Sequence, residues 1–172
     1  MVLIEGKLFC LREWKYGDEA ALVKYADNPK VARFLADRFP NPYTLKDAEF
    51  WINLQTSKIK VDTLAIDIYG EAVGGIGVDF KQDIHRKTAL IGYWLGEPFW
   101  GKGIMPDAVK LMTKYVFDNF DIIHLQAGVF EGNPASMRVL EKAGFIKEGI
   151  SKNALVKHGM VYDEHVYGLV GR

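Results

Sequence analysis

The chain has 172 residues, enough for one domain with a core of its own. Apolar side chains make up 49% and charged ones 26%, which excludes a disordered chain. The 22 basic residues balance 22 acidic ones, the net charge is +0, and no basic block is present, so nucleic acid is not an expected partner.

Leu3 to Trp14 is predicted as the first strand. Asp18 is placed to cap a helix carrying Ala20, Leu22, Val23 and Tyr25, which Asn28-Pro29 ends. Phe39-Pro40-Asn41-Pro42 reads as a loop. Thr44, with Asp47 three residues later, has the form of a capping box and opens a helix with Leu45, Ala48, Trp51, Ile52 and Gln55. The period then changes to two. Leu64, Ile66 and Ile68 alternate along a strand, Gly70-Glu71 makes a turn, and Ala72 to Phe80 returns. After a polar turn over Gln82 to Lys87, Thr88 to Leu95 completes an antiparallel meander. Trp100-Gly101-Lys102-Gly103 is a glycine turn before a helix with Ala108, Met112, Tyr115 and Val116 on one stripe. Ile122 to Phe130 is a strand. Asn133-Pro134 starts a helix ended by Gly144. Ile146 to Val156 and Met160 to Val170 form a last hairpin. The order β-α-α-β-β-β-α-β-α-β-β predicts a single α/β (α+β) domain over residues 1–172. Its sheet is mixed and mostly antiparallel, with helices on both faces.

Cys10 stands alone, so no intramolecular disulfide and no cysteine metal site can form. His85, His124, His158 and His165 have no metal-ligand spacing, and no metal is expected. The N-terminus reaches Glu5 too early for a secretory signal, and no apolar run approaches the ~18 residues of a membrane span. These features predict a cytoplasmic protein without a membrane partner.

Two segments carry chemistry. In the first, Gly92 to Met105 runs from strand through glycine turn to helix start. Such a turn aims backbone N–H groups and the positive end of the helix dipole outward, and Lys102 adds a charge at the rim. It fits either a phosphate site or a helix entry that uses glycine for geometry alone. Gly103 after Lys102 rules out a Walker loop, and Pro106 rules out the dinucleotide fingerprint. In the second segment, Glu131 to Phe145, Asn133 is a natural N-cap. Ser136 there shares a helix face with Leu140 and Ala143, near the helix start.

In this order and spacing several pieces together resemble the GNAT superfamily of N-acetyltransferases. They are Leu11-Arg12, Gly92-Tyr93-Trp94, Trp100 to Ile104, Asn133 to Ser136, Gly144-Phe145, Asp163 and Tyr167-Gly168-Leu169. The nearer likeness is to the branch of the RimJ/RimL ribosomal-protein N-terminal acetyltransferases. The resemblance implies acetyl-CoA between two splayed parallel strands, ending near Leu95 and Phe130. Backbone groups of Trp94 and Leu95 would meet the pantetheine arm, and N–H groups of Gly101, Lys102, Gly103, Ile104 and Met105 the pyrophosphate. Asn133 would touch the cofactor through its amide, and Ser136 would donate to the leaving thiolate. The amine would attack the thioester directly, with no covalent enzyme intermediate.

The chain departs from the family pattern at four places. Trp100 and Met105 replace smaller or more polar residues of the turn, Leu140 stands where many relatives have a tyrosine acid, and Leu90 stands where many have a glutamate base. Asp79, His85, Glu131 and Glu164 remain as candidate bases. Without a strong base, a weakly basic α-amine is the expected acceptor. Its pKa of ~7.8 against ~10.4 for lysine lowers the cost of deprotonation by roughly 3.5 kcal/mol. Phe34, Phe39, Tyr43 and Trp51 are candidate linings of the acceptor pocket. The expected acceptor is a protein or peptide N-terminus, or alternatively a small-molecule amine such as an antibiotic, polyamine or amino acid. A non-catalytic acyl-CoA sensor is the remaining alternative, and under any of these readings the protein is expected as a monomer or homodimer.

Overall fold

The computed structural model describes residues 1–171. The predicted first strand is two strands, β1 (Leu3–Glu5) and β2 (Cys10–Arg12), paired antiparallel. The Gly6 N–H donates to the Phe9 carbonyl at 2.9 Å and reverses the chain between them. Helix α1 covers Glu19–Ala26, and Asp18 does not cap it through its side chain. A short helix absent from the prediction, α2 (Pro29–Ala32), follows where proline suits the first helical position and the Asn28 side chain accepts the Lys30 N–H. Helix α3 (Leu45–Thr56) opens with the predicted capping box, both reciprocal bonds between Thr44 and Asp47 being present.

The meander consists of β3 (Thr63–Ile68), β4 (Glu71–Phe80) and β5 (Thr88–Leu95). The tight turn sits at Tyr69-Gly70, with φ of 54° and 89°, one residue earlier than predicted. Two positive φ values in succession suit a two-residue hairpin turn. Then come α4 (Ile104–Asn119), β6 (His124–Phe130), α5 (Pro134–Lys142), β7 (Ile146–Lys157) and β8 (Met160–Val170). The hydrogen-bonded strand order is β1-β2-β3-β4-β5-β6-β8-β7. Pairing is parallel between β5 and β6 and antiparallel in β1–β2, β2–β3, β3–β4, β6–β8 and β7–β8.

The described chain divides into two compact units, and β4 and β5 run through both. The first unit holds Met1–Gly77 and Tyr93–Ala108. Its core gathers Trp14, Leu22, Ala26, Tyr43, Ala48, Ile52, Ala65 and Ala72, with Phe39, Trp51 and Trp94 packed against them. Arg12 ties this unit together. Its guanidinium donates twice to Asp18 at 2.8 Å and through Nε to Asp67 at 2.6 Å. That contact also explains why Asp18 is not an N-cap, since its carboxylate is occupied by Arg12 and by the Lys15 N–H at 3.0 Å. The second unit holds Val78–Gly92 and the chain from Val109 on. Val109, Met112 and Val116 of α4, Leu125, Ala127 and Val129 of β6, Leu140 of α5 and Tyr167 of β8 are buried there. The spacing of the α4 residues is that of one helix face. Among the described residues no helix is long and apolar enough to cross a membrane.

Candidate functional site

In the first unit the glycine turn is built as the sequence predicts. Gly101 and Gly103 have φ of 72° and 75°, which only glycine adopts without strain, and a Cβ at either would meet nothing within 4 Å. Gly101, Lys102 and Gly103 are exposed, whereas Ile104 and Met105 are buried. The bulk of Met105 therefore turns into the core and leaves the turn lined by backbone. Helix α4 begins at Ile104, so its unpaired N–H groups and positive dipole end open on this turn. An anion such as a pyrophosphate fits these residues. The Lys102 ammonium lies 5.6 Å from the centre of the Phe99 ring, which steadies it at the rim.

Upstream, the Leu95 carbonyl accepts the Trp100 indole N–H at 2.7 Å. Trp100 thus fixes the turn against the end of β5, a function for a side chain that departs from the family pattern. A Cβ at Gly74 would come within 2.5 Å of the Trp94 carbonyl, so β4 approaches β5 closely here. The Trp94 ring packs against Phe39 at 5.5 Å, and Phe39 against Tyr43 at 5.2 Å. Trp51 meets Trp14 edge-on at 6.0 Å. Three of the four predicted pocket residues, Phe39, Tyr43 and Trp51, thus join one aromatic cluster with Trp94, while Phe34 lies beneath the Arg33 guanidinium at 4.8 Å. Burial pushes the Tyr43 phenol well above its ordinary pKa, with the Asp47 charge adding to it, so the phenol stays protonated.

In the second unit Asn133 caps α5, its side-chain oxygen accepting the Ser136 N–H at 3.4 Å. This leaves its NH₂ end as the amide donor for a ligand. Ser136 is half-buried in the first turn of α5. Leu140 is fully buried one turn later and takes no part in proton transfer. The β5–β6 ladder pairs Thr88 with His124, Ala89 with Leu125 and Leu90 with Gln126, and ends there although both strands run on.

The four candidate bases differ in their surroundings. His85 is exposed on a helical turn three residues before β5, at the end of that strand away from Leu95. Asp79 is exposed on β4. Glu131 accepts the Asp163 N–H at 2.7 Å, and its own N–H donates to the Asp163 carbonyl at 3.0 Å. Glu164 lies over Gly128, where a Cβ would overlap its Oε1 and stand 2.8 Å from its Cδ. Sequence reasoning passed over Gly128; a glycine inside a strand is itself a signal of close approach. Among the described residues no group of three His, Cys, Asp or Glu gathers as a metal site requires.

The architecture recurs among solved structures. A RimL ribosomal L7/L12 alpha-N-protein acetyltransferase in complex with coenzyme A aligns with a TM-score of 0.83 over 98% of each chain at 22% identity. The chain belongs to the acetyltransferase (GNAT) domain family, which it matches over residues 9–146. Among curated relatives, the probable N-acetyltransferase YjcK of Bacillus subtilis is 44% identical over 84 residues, 49% of this chain and 46% of YjcK. The putative ribosomal N-acetyltransferase YdaF of the same organism is 33% identical over 103 residues, 60% of this chain and 56% of YdaF. The matched stretch thus spans about half the length of these curated relatives.

Proposed function

We propose that the chain is an acetyl-CoA-dependent N-acetyltransferase, acting as one cytoplasmic domain, and that its acceptor is the α-amine of a protein or peptide N-terminus. The observation that carries the cofactor is the exposed Gly101-Lys102-Gly103 turn at the start of α4, with both glycines at positive φ and no side chain filling it. The family match supports the same reading and runs through both units. N–H groups from Gly101 to Met105 hold the pyrophosphate. Backbone groups of Trp94 and Leu95 align the pantetheine arm, and the Asn133 amide adds a donor. The bound thioester supplies the activated acetyl group. Ser136 donates to the departing sulfur, and an N–H of the strand carrying Trp94 polarises the carbonyl. Holding amine and thioester together supplies much of the rate.

Two points support the α-amine. A carboxylate at any position is far too weak a base to deprotonate a lysine in advance, whereas an α-amine, with a pKa of ~7.8, arrives partly neutral without one. The relative YdaF is named a putative ribosomal N-acetyltransferase. The test is thiol release from acetyl-CoA with a peptide bearing a free α-amine, beside an Nα-blocked lysine peptide and a panel of small amines. Faster release with the α-amine is expected, lowered about 10²-fold by Ser136→Ala. Faster release with the lysine peptide overturns the acceptor. Release with none of them overturns the enzyme reading in favour of a sensor.

A further inference from the structure

Resting on the transferase reading above, we propose that Glu164 is the carboxylate that takes the amine's proton, replacing the one absent at Leu90, and that Gly128 exists to let it reach that place. Every residue of this argument lies in the second unit.

Side chains alternate across a strand, so register assigns them to faces. Leu90 pairs with Gln126 in the parallel ladder, and Leu90 is 39% exposed. Gly128 follows Gln126 by two residues and shares its face. Phe130 pairs with Glu164 in the β6–β8 ladder, which puts Glu164 on that face too. Ala89, Leu125, Ala127 and Val129 point the other way and are buried. The face therefore carries Leu90, Gln126, Gly128 and Glu164, and it begins to lack β5 pairing just beyond Gln126.

Glu164 reaches across from β8 and lays its carboxylate over Gly128, on the first stretch of β6 past the end of the parallel ladder. Phe130, opposite Glu164, is also the residue whose carbonyl accepts the Asn133 N–H at 3.1 Å, at the entry to the helix that bears Ser136. The carboxylate thus stands beside the strand end that leads into the proposed acid.

Its neighbours on this face are satisfied. Glu148 lies over Gly168 in the same manner, but its Oε1 meets His124 Nε2 at 2.8 Å. The Lys81 ammonium donates to Gln126 Oε1 at 2.8 Å. Among the described residues nothing gives the Glu164 carboxylate a hydrogen bond or an ion pair. A half-buried carboxylate held in place by a glycine and left without a donor is arranged to receive one from a ligand.

The step balances. The amine nitrogen forms the N–C bond, the C–S bond breaks, and the amine proton, made acidic as the bond forms, passes to Glu164. The sulfur takes a proton from Ser136, which water replenishes, and Glu164 returns its proton to solvent.

The experiment uses the full chain, acetyl-CoA and the α-amine peptide. Glu164→Gln should lower kcat by about 10²-fold or more while leaving acetyl-CoA affinity within about twofold. Its residual rate should climb with pH as the amine arrives already neutral. Gly128→Ala keeps the carboxylate but displaces it, and should also lower kcat with cofactor affinity kept. It serves as the test if Glu164→Gln fails to fold. A parent that turns over while Glu164→Gln retains full kcat overturns Glu164 and leaves the transferase reading intact. A parent that releases no thiol overturns the transferase reading itself.

Discussion

Arg12 and Glu164 show opposite treatments of charge in the two units. Arg12 and its partners Asp18 and Asp67 are 11%, 3% and 9% exposed, and their charged groups hold one another. A carboxylate taken from water at that depth is tolerable only when paired, so the cluster is closed and structural. Glu164 is half-buried, lies over a glycine, and has no partner among the described residues. The buried charges of the Arg12 cluster are bonded to one another, whereas the Glu164 carboxylate is open, as the proposed receiver of a substrate proton must be.

The strongest way to break this contrast is Arg12→Ala. It strands two buried carboxylates and should lower stability by about 3–5 kcal/mol in denaturant unfolding. A loss under 1 kcal/mol would mean that the cluster is not closed as described. Thr44→Ala sharpens the scale with a surface case: losing the capping box of α3 should cost about 1 kcal/mol. Glu164→Gln should leave unfolding unchanged within about 0.5 kcal/mol, because no partner is lost. The smallest effect is in acid. The Lys152 ammonium and then the Asn153 N–H hold the Asp163 carboxyl below the usual aspartate range. A depressed carboxyl stabilises the fold above its unfolded pKa of ~3.9, and that contribution is lost as pH falls through the lower folded value. Asp163→Asn should therefore flatten the acid limb of the stability curve.

What was legible in the sequence was local. The alternation of Leu64, Ile66 and Ile68, the Thr44–Asp47 box, the glycine turn and the Asn133 cap each follow from neighbours within a few residues, and each formed where predicted. The split of the first strand turned on one short bond, Gly6 to Phe9, inside a run that reads as continuous. Asp18 looked like a cap because its true partner is a guanidinium on a neighbouring strand. Glu164 could be named beforehand but not chosen over Asp79, His85 and Glu131. The choice depends on the β6–β8 register, which sets Glu164 opposite Phe130 and over Gly128, and a register between strands that are not adjacent in sequence leaves no local trace.

The central claim is that the glycine turn of the first unit holds a nucleotide-bearing thioester. Calorimetric titration of acetyl-CoA into the parent and into Gly103→Pro tests it most directly, since proline cannot adopt the φ of 75° found there. Micromolar binding by the parent, lost in the variant with its far-ultraviolet dichroism unchanged, is the predicted result. No heat of binding to the parent at millimolar acetyl-CoA, or equal binding by both proteins, would contradict the account.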